Sequence, residues 1–119
     1  IMLEYFSDKA SSTVYWGEAF GRRLDFSNVS DQILAYRWYI DHVRKLWEKA
    51  DPQYVELAGF YILSEILVAR PSGWNYKYKR WDKILPQVSD YLHEMKYGLY
   101  WIPYYQADGY DMTEELGID

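Results

Sequence analysis

The chain has 119 residues, half of them hydrophobic and a fifth aromatic, with 14 Tyr, 6 Trp and a formal net charge of −5 at pH 7. That length suits one ordinary domain and falls short of the roughly 250 residues of a complete (β/α) barrel. Nucleic acid is disfavoured as a partner, because phosphate binding needs concentrated Lys and Arg whereas the basic residues here are scattered among acids, and the absence of Cys removes disulfides, thiol nucleophiles and cysteine-held metals.

Met2 to Phe6 reads as a short strand and Val14 to Phe20 as another, with Gly17, Gly21, Arg22-Arg23 and Asp25-Phe26-Ser27-Asn28 as loop. Glu18 beside Trp16 is a carboxylate in aromatic company, a pattern that a surface loop also produces. From Ser30 the pattern is helical to about Ala50, with Ser30 or Asp31 as the cap. Ile33, Tyr36, Ile40, Val43, Trp47 and Ala50 form an apolar stripe at spacings of three and four. Asp31, Arg37, Asp41, His42, Arg44, Lys45, Glu48 and Lys49 fall on the opposite, wet face. His42 has no second ligand at metal spacing, and Asp51-Pro52 stops the helix.

Tyr54 to Leu63 follows as a central strand, apolar on both faces as in a parallel sheet covered by helices. Gly59 within it implies close approach by a neighbouring layer. The run continues to Glu65, at or just beyond the strand's carboxyl end, and Val68 to Asn75 is an irregular loop with Trp74 exposed or lining a cleft. Tyr76 to Lys96 is helical, Trp81, Ile84 or Leu85, Val88, Leu92 and Met95 sharing a face. Pro86 predicts either a kink or two consecutive helices, and Gly98 is expected to take the left-handed terminating turn.

Leu99 to Tyr105 is the second strand, distorted at Pro103 and followed by the turn Gln106-Ala107-Asp108-Gly109. Asp111 to Glu114 resembles a capping box, its helix cut short by Gly117, and Ile118-Asp119 reads as the start of another strand. Two similar strands joined by a helix make a βαβ unit, hence parallel strands and a right-handed crossover. The fold expected is therefore α/β: a partial (β/α) barrel of parallel strands with crossover helices, residues 1–119 being one incomplete segment of a longer protein that opens Ile-Met and stops at a strand's first residues.

The stretches LDFSNVSDQILAYRWYIDHV, LAGFYILSEIL and VSDYLHEMKYGLYWIPYYQADGYDMTEELGID resemble a bacterial family, the domain of unknown function numbered forty-eight fifty-five. The most telling pieces are Trp38-Tyr39-Ile40-Asp41, Gly59-Phe60-Tyr61 followed by Glu65, and Trp101-Ile102-Pro103-Tyr104-Tyr105. The resemblance runs from about Gly17 to the C-terminus. It implies large, mostly exported proteins with a glycoside-hydrolase-like barrel, and so an extracellular or cell-surface location.

Glycosidic hydrolysis needs two carboxyls flanking the scissile bond. Glu65 is the best-placed candidate, since aromatic surroundings at a strand end would suit a general acid. The competing reading pairs it with Arg70 or Lys77, or leaves it exposed. Its partner is not identifiable: Asp111 reads first as a helix cap, and Asp108 lies in a turn where Asp is common. Trp74, Trp101, Tyr104 and Tyr105 could stack on sugar rings, with Gln106 and Asp108 beside them, although Trp101 in mid-strand reads first as core. The expected function is a carbohydrate-active barrel segment acting on or binding polysaccharide. The alternative is a non-catalytic carbohydrate-binding or protein-interaction segment. No cofactor or metal is expected, no run is long enough to span a membrane, and the open strand edges predict self-association of the isolated segment.

Overall fold

The structure, a computed structural model, describes residues 1–7, 17–67 and 80–119. The chain divides into two compact units, Ser7–Ala58 and a second built from Ile1–Phe6 with Gly59–Asp119. The described residues form a mixed α/β architecture, with a three-stranded parallel sheet, a small antiparallel hairpin and two α-helices.

In the sheet unit, β1 (Met2–Leu3), β4 (Gly59–Ile62) and β5 (Gly98–Trp101) lie in the order β1-β4-β5, with Leu3 opposite Ile62 and Ile62 opposite Trp101. Both pairings are parallel, as the βαβ reading requires. The strands are shorter than their apolar runs. Tyr54 to Ala58 precede β4 and Ile102 to Tyr105 follow β5, because Pro103 cannot donate to a ladder and the chain leaves the sheet before it. The close neighbour of Gly59 is the Gly98 backbone in the adjoining strand, not a packed layer.

Alternation along the strands divides the sheet's two faces. Leu3, Phe60, Ile62 and Leu99 are fully buried on one of them, with the half-buried Trp101. Helix α2 (Trp81–Glu94) buries Trp81, Ile84, Leu85, Val88, Ser89 and Leu92, and its Trp81 bonds Ser64, which has the same parity as Phe60 and Ile62. Met2, Leu63, Tyr100 and Ile102 on the other face are exposed. Among the described residues of this unit no α-helix packs on that face, where Tyr61 is half-buried, whereas the apolar strands predict a helical cover on both faces.

Helix α2 runs unbroken through Pro86. Its end is a Schellman motif: Tyr97 N–H donates to Leu92 C=O at 3.0 Å and Lys96 N–H to His93 C=O at 2.9 Å. Lys96, at φ 64°, takes the left-handed position expected of Gly98, which instead begins β5.

In the other unit, Arg22-Arg23 form a strand (β3, Arg22–Arg23) paired with β2 (Glu18–Ala19). Phe20 and Gly21, both at positive φ, make the turn between them, the combination that matches the strands' twist in two-residue hairpins. Helix α1 (Val29–Ala50) starts at Asn28, two residues before the expected cap. Asp31, placed on the wet face by periodicity, is 3% exposed. Ile33, Tyr36 and Ile40 are buried as the stripe requires, whereas Ala50 at the helix end is exposed. Among the described residues no helix is long and apolar enough to cross a membrane.

Candidate functional site

In parallel sheets the loops at the strands' carboxyl ends carry binding and chemistry, because they converge on one edge. Here those loops, as far as they are described within this unit, are Glu4 to Phe6 after β1, Leu63 to Leu67 after β4 and Ile102 to Gly109 after β5. Ser64 ties the β4 loop to helix α2 and to the end of β5. Its hydroxyl accepts the buried Trp81 indole N–H at 3.1 Å, and its carbonyl accepts the Trp101 indole N–H at 2.7 Å. The Tyr5 hydroxyl accepts the Arg80 backbone N–H at 3.1 Å, and its ring meets Trp81 edge-on at 5.3 Å. The amino end of α2 is thus pinned to the carboxyl ends of β1 and β4.

The β5 loop folds back on itself. Ala107 N–H donates to Tyr104 C=O at 3.0 Å, closing a turn whose third residue, Gln106, has φ 61°. A positive φ there is the type II requirement that Gly or Asn ordinarily meets. Ala107 is fully buried beneath the turn, and Leu67 N–H donates to Asp108 C=O at 3.4 Å, which joins the β4 loop to the β5 loop.

On this frame Glu65 is exposed on a bend after β4. It stands three residues past Ile62, as Tyr104 stands three past its partner Trp101. Tyr104, Tyr105 and Gln106 are exposed, Tyr105 at 87%. Asp108 is half-buried with its backbone tied to Leu67. Trp101 is half-buried and its indole N–H is engaged by Ser64, so its ring is a fixed part of the strand end. Trp74, and with it Arg70 and Lys77, lie outside the described residues. Asp111 sits inside a single 3-10 turn, Tyr110–Met112, whose N-cap position is taken by Gly109. Glu18 is exposed in the hairpin, and His42 is exposed with its ring stacked on Trp38 at 5.0 Å.

Tyr5 and Ser64 escaped sequence reasoning. The signal was a polar side chain two residues past the end of an apolar strand. Asp31 accepts a forked bond from the Arg22 guanidinium and the Asp25 N–H at 2.8 Å. The Arg22 bond first, then the Asp25 N–H, hold its carboxyl below the usual carboxylate range against the opposing effect of burial. Asp119 is lowered likewise, by its hydrogen bond with His93 and then by the Leu99 N–H. Among the described residues no group of three or more His, Asp or Glu is placed to hold a metal ion.

No curated protein and no solved structure matches the chain. A family model does, and it reaches further toward the N-terminus than the resemblance that begins near Gly17: it covers residues 2–119, so the chain belongs to the family described as a domain of unknown function (DUF4855).

Proposed function

We propose that this chain is part of a (β/α) barrel whose carboxyl-end rim binds polysaccharide, with Glu65 as a candidate catalytic carboxyl in the intact barrel. The observation that supports this reading most is the sheet of β1, β4 and β5. Its parallel strands follow chain order, β1-β4-β5, and Met2, Leu63, Tyr100 and Ile102 are exposed on the face that a closed barrel would turn inward. At the carboxyl edge of that sheet, phenol rings adjoin an amide and a carboxylate. Sugar rings stack their C–H faces on such aromatics, and their hydroxyls bond amides and carboxylates.

The exposure of Glu65 favours a second reading, binding through the same rim without bond cleavage. A general acid works from a dry setting, and a glycosidase needs a second carboxyl besides.

The test is affinity electrophoresis of the chain in gels containing soluble β-glucan, xylan or mannan. Retardation by at least one polymer is expected. Tyr105→Ala should weaken it roughly five- to tenfold, the worth of one aromatic contact. Tyr54→Ala, a still more exposed tyrosine that precedes β4 in the chain, should leave it unchanged. Absence of retardation, or equal losses in both variants, would overturn the proposal. In the intact barrel protein Glu65→Gln separates the two readings: an enzyme loses turnover while keeping affinity, whereas a binder has no turnover to lose and keeps its affinity.

A further inference from the structure

The loop after β5 is committed at both ends and idle in the middle. Ala107 N–H donates to Tyr104 C=O at 3.0 Å, and Ala107 C=O accepts the Tyr110 N–H at 3.2 Å. Ala107 is fully buried, and Asp108 C=O accepts the Leu67 N–H. Between these fixed points stands one peptide group, the Tyr105 C=O with the Gln106 N–H. Among the described residues it makes no hydrogen bond, and the Tyr105 and Gln106 side chains make none either. Both residues are exposed.

The orientation of that peptide is a choice between two turns. Type I and type II turns close the same bond between their first and fourth residues and differ in the central peptide, which is turned over. Type II then needs a positive φ at the third residue, and type I a negative one. Tyr105 is not left-handed and Gln106 has φ 61°, so the turn is type II. For a residue with a side chain, a left-handed φ lowers the population of that state roughly tenfold.

Lys96, the other left-handed side chain described in this unit, closes helix α2 through its own N–H. The Gln106 N–H closes nothing among the described residues. A type I turn would keep the bond from Ala107 to Tyr104 and relieve Gln106. It would change only the direction in which the Tyr105 C=O and the Gln106 N–H are presented. A glycine at 106 would fix type II, whereas glutamine leaves type I within reach, so an outside partner of this peptide can decide between the two turns.

We infer that the Tyr105–Gln106 peptide is itself a sugar-binding group of the rim, an inference that rests on the polysaccharide reading above. A sugar hydroxyl, which both donates and accepts, bonds the peptide in its type II orientation while the sugar ring stacks on Tyr105. Residue 106 then governs affinity through the type of turn and not through its side-chain amide, because apparent affinity scales with the fraction of the chain in the competent turn.

The test places Gln106→Ala, Gln106→Gly and Gln106→Val beside the parent chain in the β-glucan, xylan and mannan gels. Alanine removes the amide and keeps the left-handed cost, so retardation should be unchanged. Glycine removes both and should tighten binding at least threefold. Valine, whose branched side chain disfavours a left-handed φ further, should weaken it at least threefold. The turn itself supplies the second readout, by NMR. The Tyr105 Hα lies close to the residue 106 amide proton in type II and farther away in type I. That contact should strengthen in Gln106→Gly and fade in Gln106→Val without ligand, and strengthen in the parent when hexasaccharides of the same polymers are added. Weaker retardation of Gln106→Ala than of the parent would assign the contact to the side-chain amide, overturning the inference and leaving the rim reading intact. Equal retardation of all four proteins, or the same turn in the glycine and valine variants, would do the same. A parent chain that no polymer retards would overturn both. Should Gln106→Val fail to fold, the comparison of glycine with alanine decides, since both lack the amide and only glycine lacks the left-handed cost.

Discussion

Replacing either of two facing glycines by alanine should have very different consequences, although Gly59 and Gly98 are paired across the same ladder. Neither has a left-handed φ, so backbone strain does not separate them. A Cβ on Gly59 would lie 2.2 Å from the Gly98 carbonyl oxygen and 2.8 Å from its carbon and nitrogen. All three atoms are backbone, so relief requires β5 to withdraw by roughly 1 Å, enough to take a ~2.9 Å ladder bond beyond hydrogen-bonding range. Overpacking costs about 1–3 kcal/mol and a broken buried bond about 1–3 kcal/mol more, offset by about 0.4–1 kcal/mol from the stiffer unfolded chain. The net loss is about 1–5 kcal/mol, centred near 3. A Cβ on Gly98 would instead meet the tip of the Tyr100 ring at 2.4 Å. That ring is on the face away from α2 and can swing into solvent, which forfeits about 0.5–1 kcal/mol of contact and is nearly cancelled by the same unfolded-chain gain. Urea unfolding followed by circular dichroism, with hydrogen exchange of the β4 and β5 amides, measures both variants. Gly59→Ala should fall below Gly98→Ala by about 1 kcal/mol or more; equal stabilities would refute the assignment of the close contact to the strand backbone.

Other outcomes follow from single contacts. Ser64→Ala removes the acceptor of the buried Trp81 indole N–H and should cost about 1–3 kcal/mol, so an unchanged melting temperature would sink the role given to Ser64. Lys96→Gly and Phe20→Asn relieve left-handed φ values of 64° and 53° on ordinary side chains and should each stabilise by about 0.5–1 kcal/mol. A drop in melting temperature for either would argue against those turns. Asp31 has its folded pKa below the unfolded one, so its stabilising contribution is complete above the unfolded value near 3.9 and is lost as pH falls through the folded value. Asp31→Asn should therefore be less stable than the parent by about 1–3 kcal/mol at pH 7, with the gap narrowing steadily below about pH 4. Urea midpoints for both proteins from pH 7 down to pH 3 check this, and a gap independent of pH would contradict it.

How much of this was legible in the sequence depends on the length over which each determinant acts. The parallel pairing of β4 with β5 was legible, because two apolar runs with a helix between them admit few topologies. The extent of helix α1 was legible for the same kind of reason, since a stripe from Ile33 to Trp47 repeats often enough to fix its period. Asp31 was misplaced because periodicity sees only the helix: its burial depends on Arg22 and Asp25, which lie before the helix and reach the carboxylate through a hairpin that reads as loop. The terminating turn of α2 was assigned to Gly98 because glycine is the ordinary left-handed residue, yet two glycines face each other at the start of β4 and β5, and the helix ends on Lys96 instead. A left-handed lysine costs only about 1 kcal/mol, so the helix can end on Lys96 two residues before the strand begins.

The same competition accounts for the rim. Apolar composition on both sides of β4 predicts two covers, but the structure places α2 against the face that carries Ser64 and leaves Leu63, Tyr100 and Ile102 exposed. Composition registers that a residue is apolar, not whether its cover lies within the same stretch of chain. The candidate site has the same dependence: Tyr104, Tyr105 and Gln106 are positioned by a turn closed through Tyr104 and tied to Leu67 by way of Asp108, so their arrangement comes from backbone bonds that no side-chain pattern announces. Residue types at the rim were readable one by one, whereas their convergence rests on the Ser64 fastening and on the strand order that brings the loops to one edge.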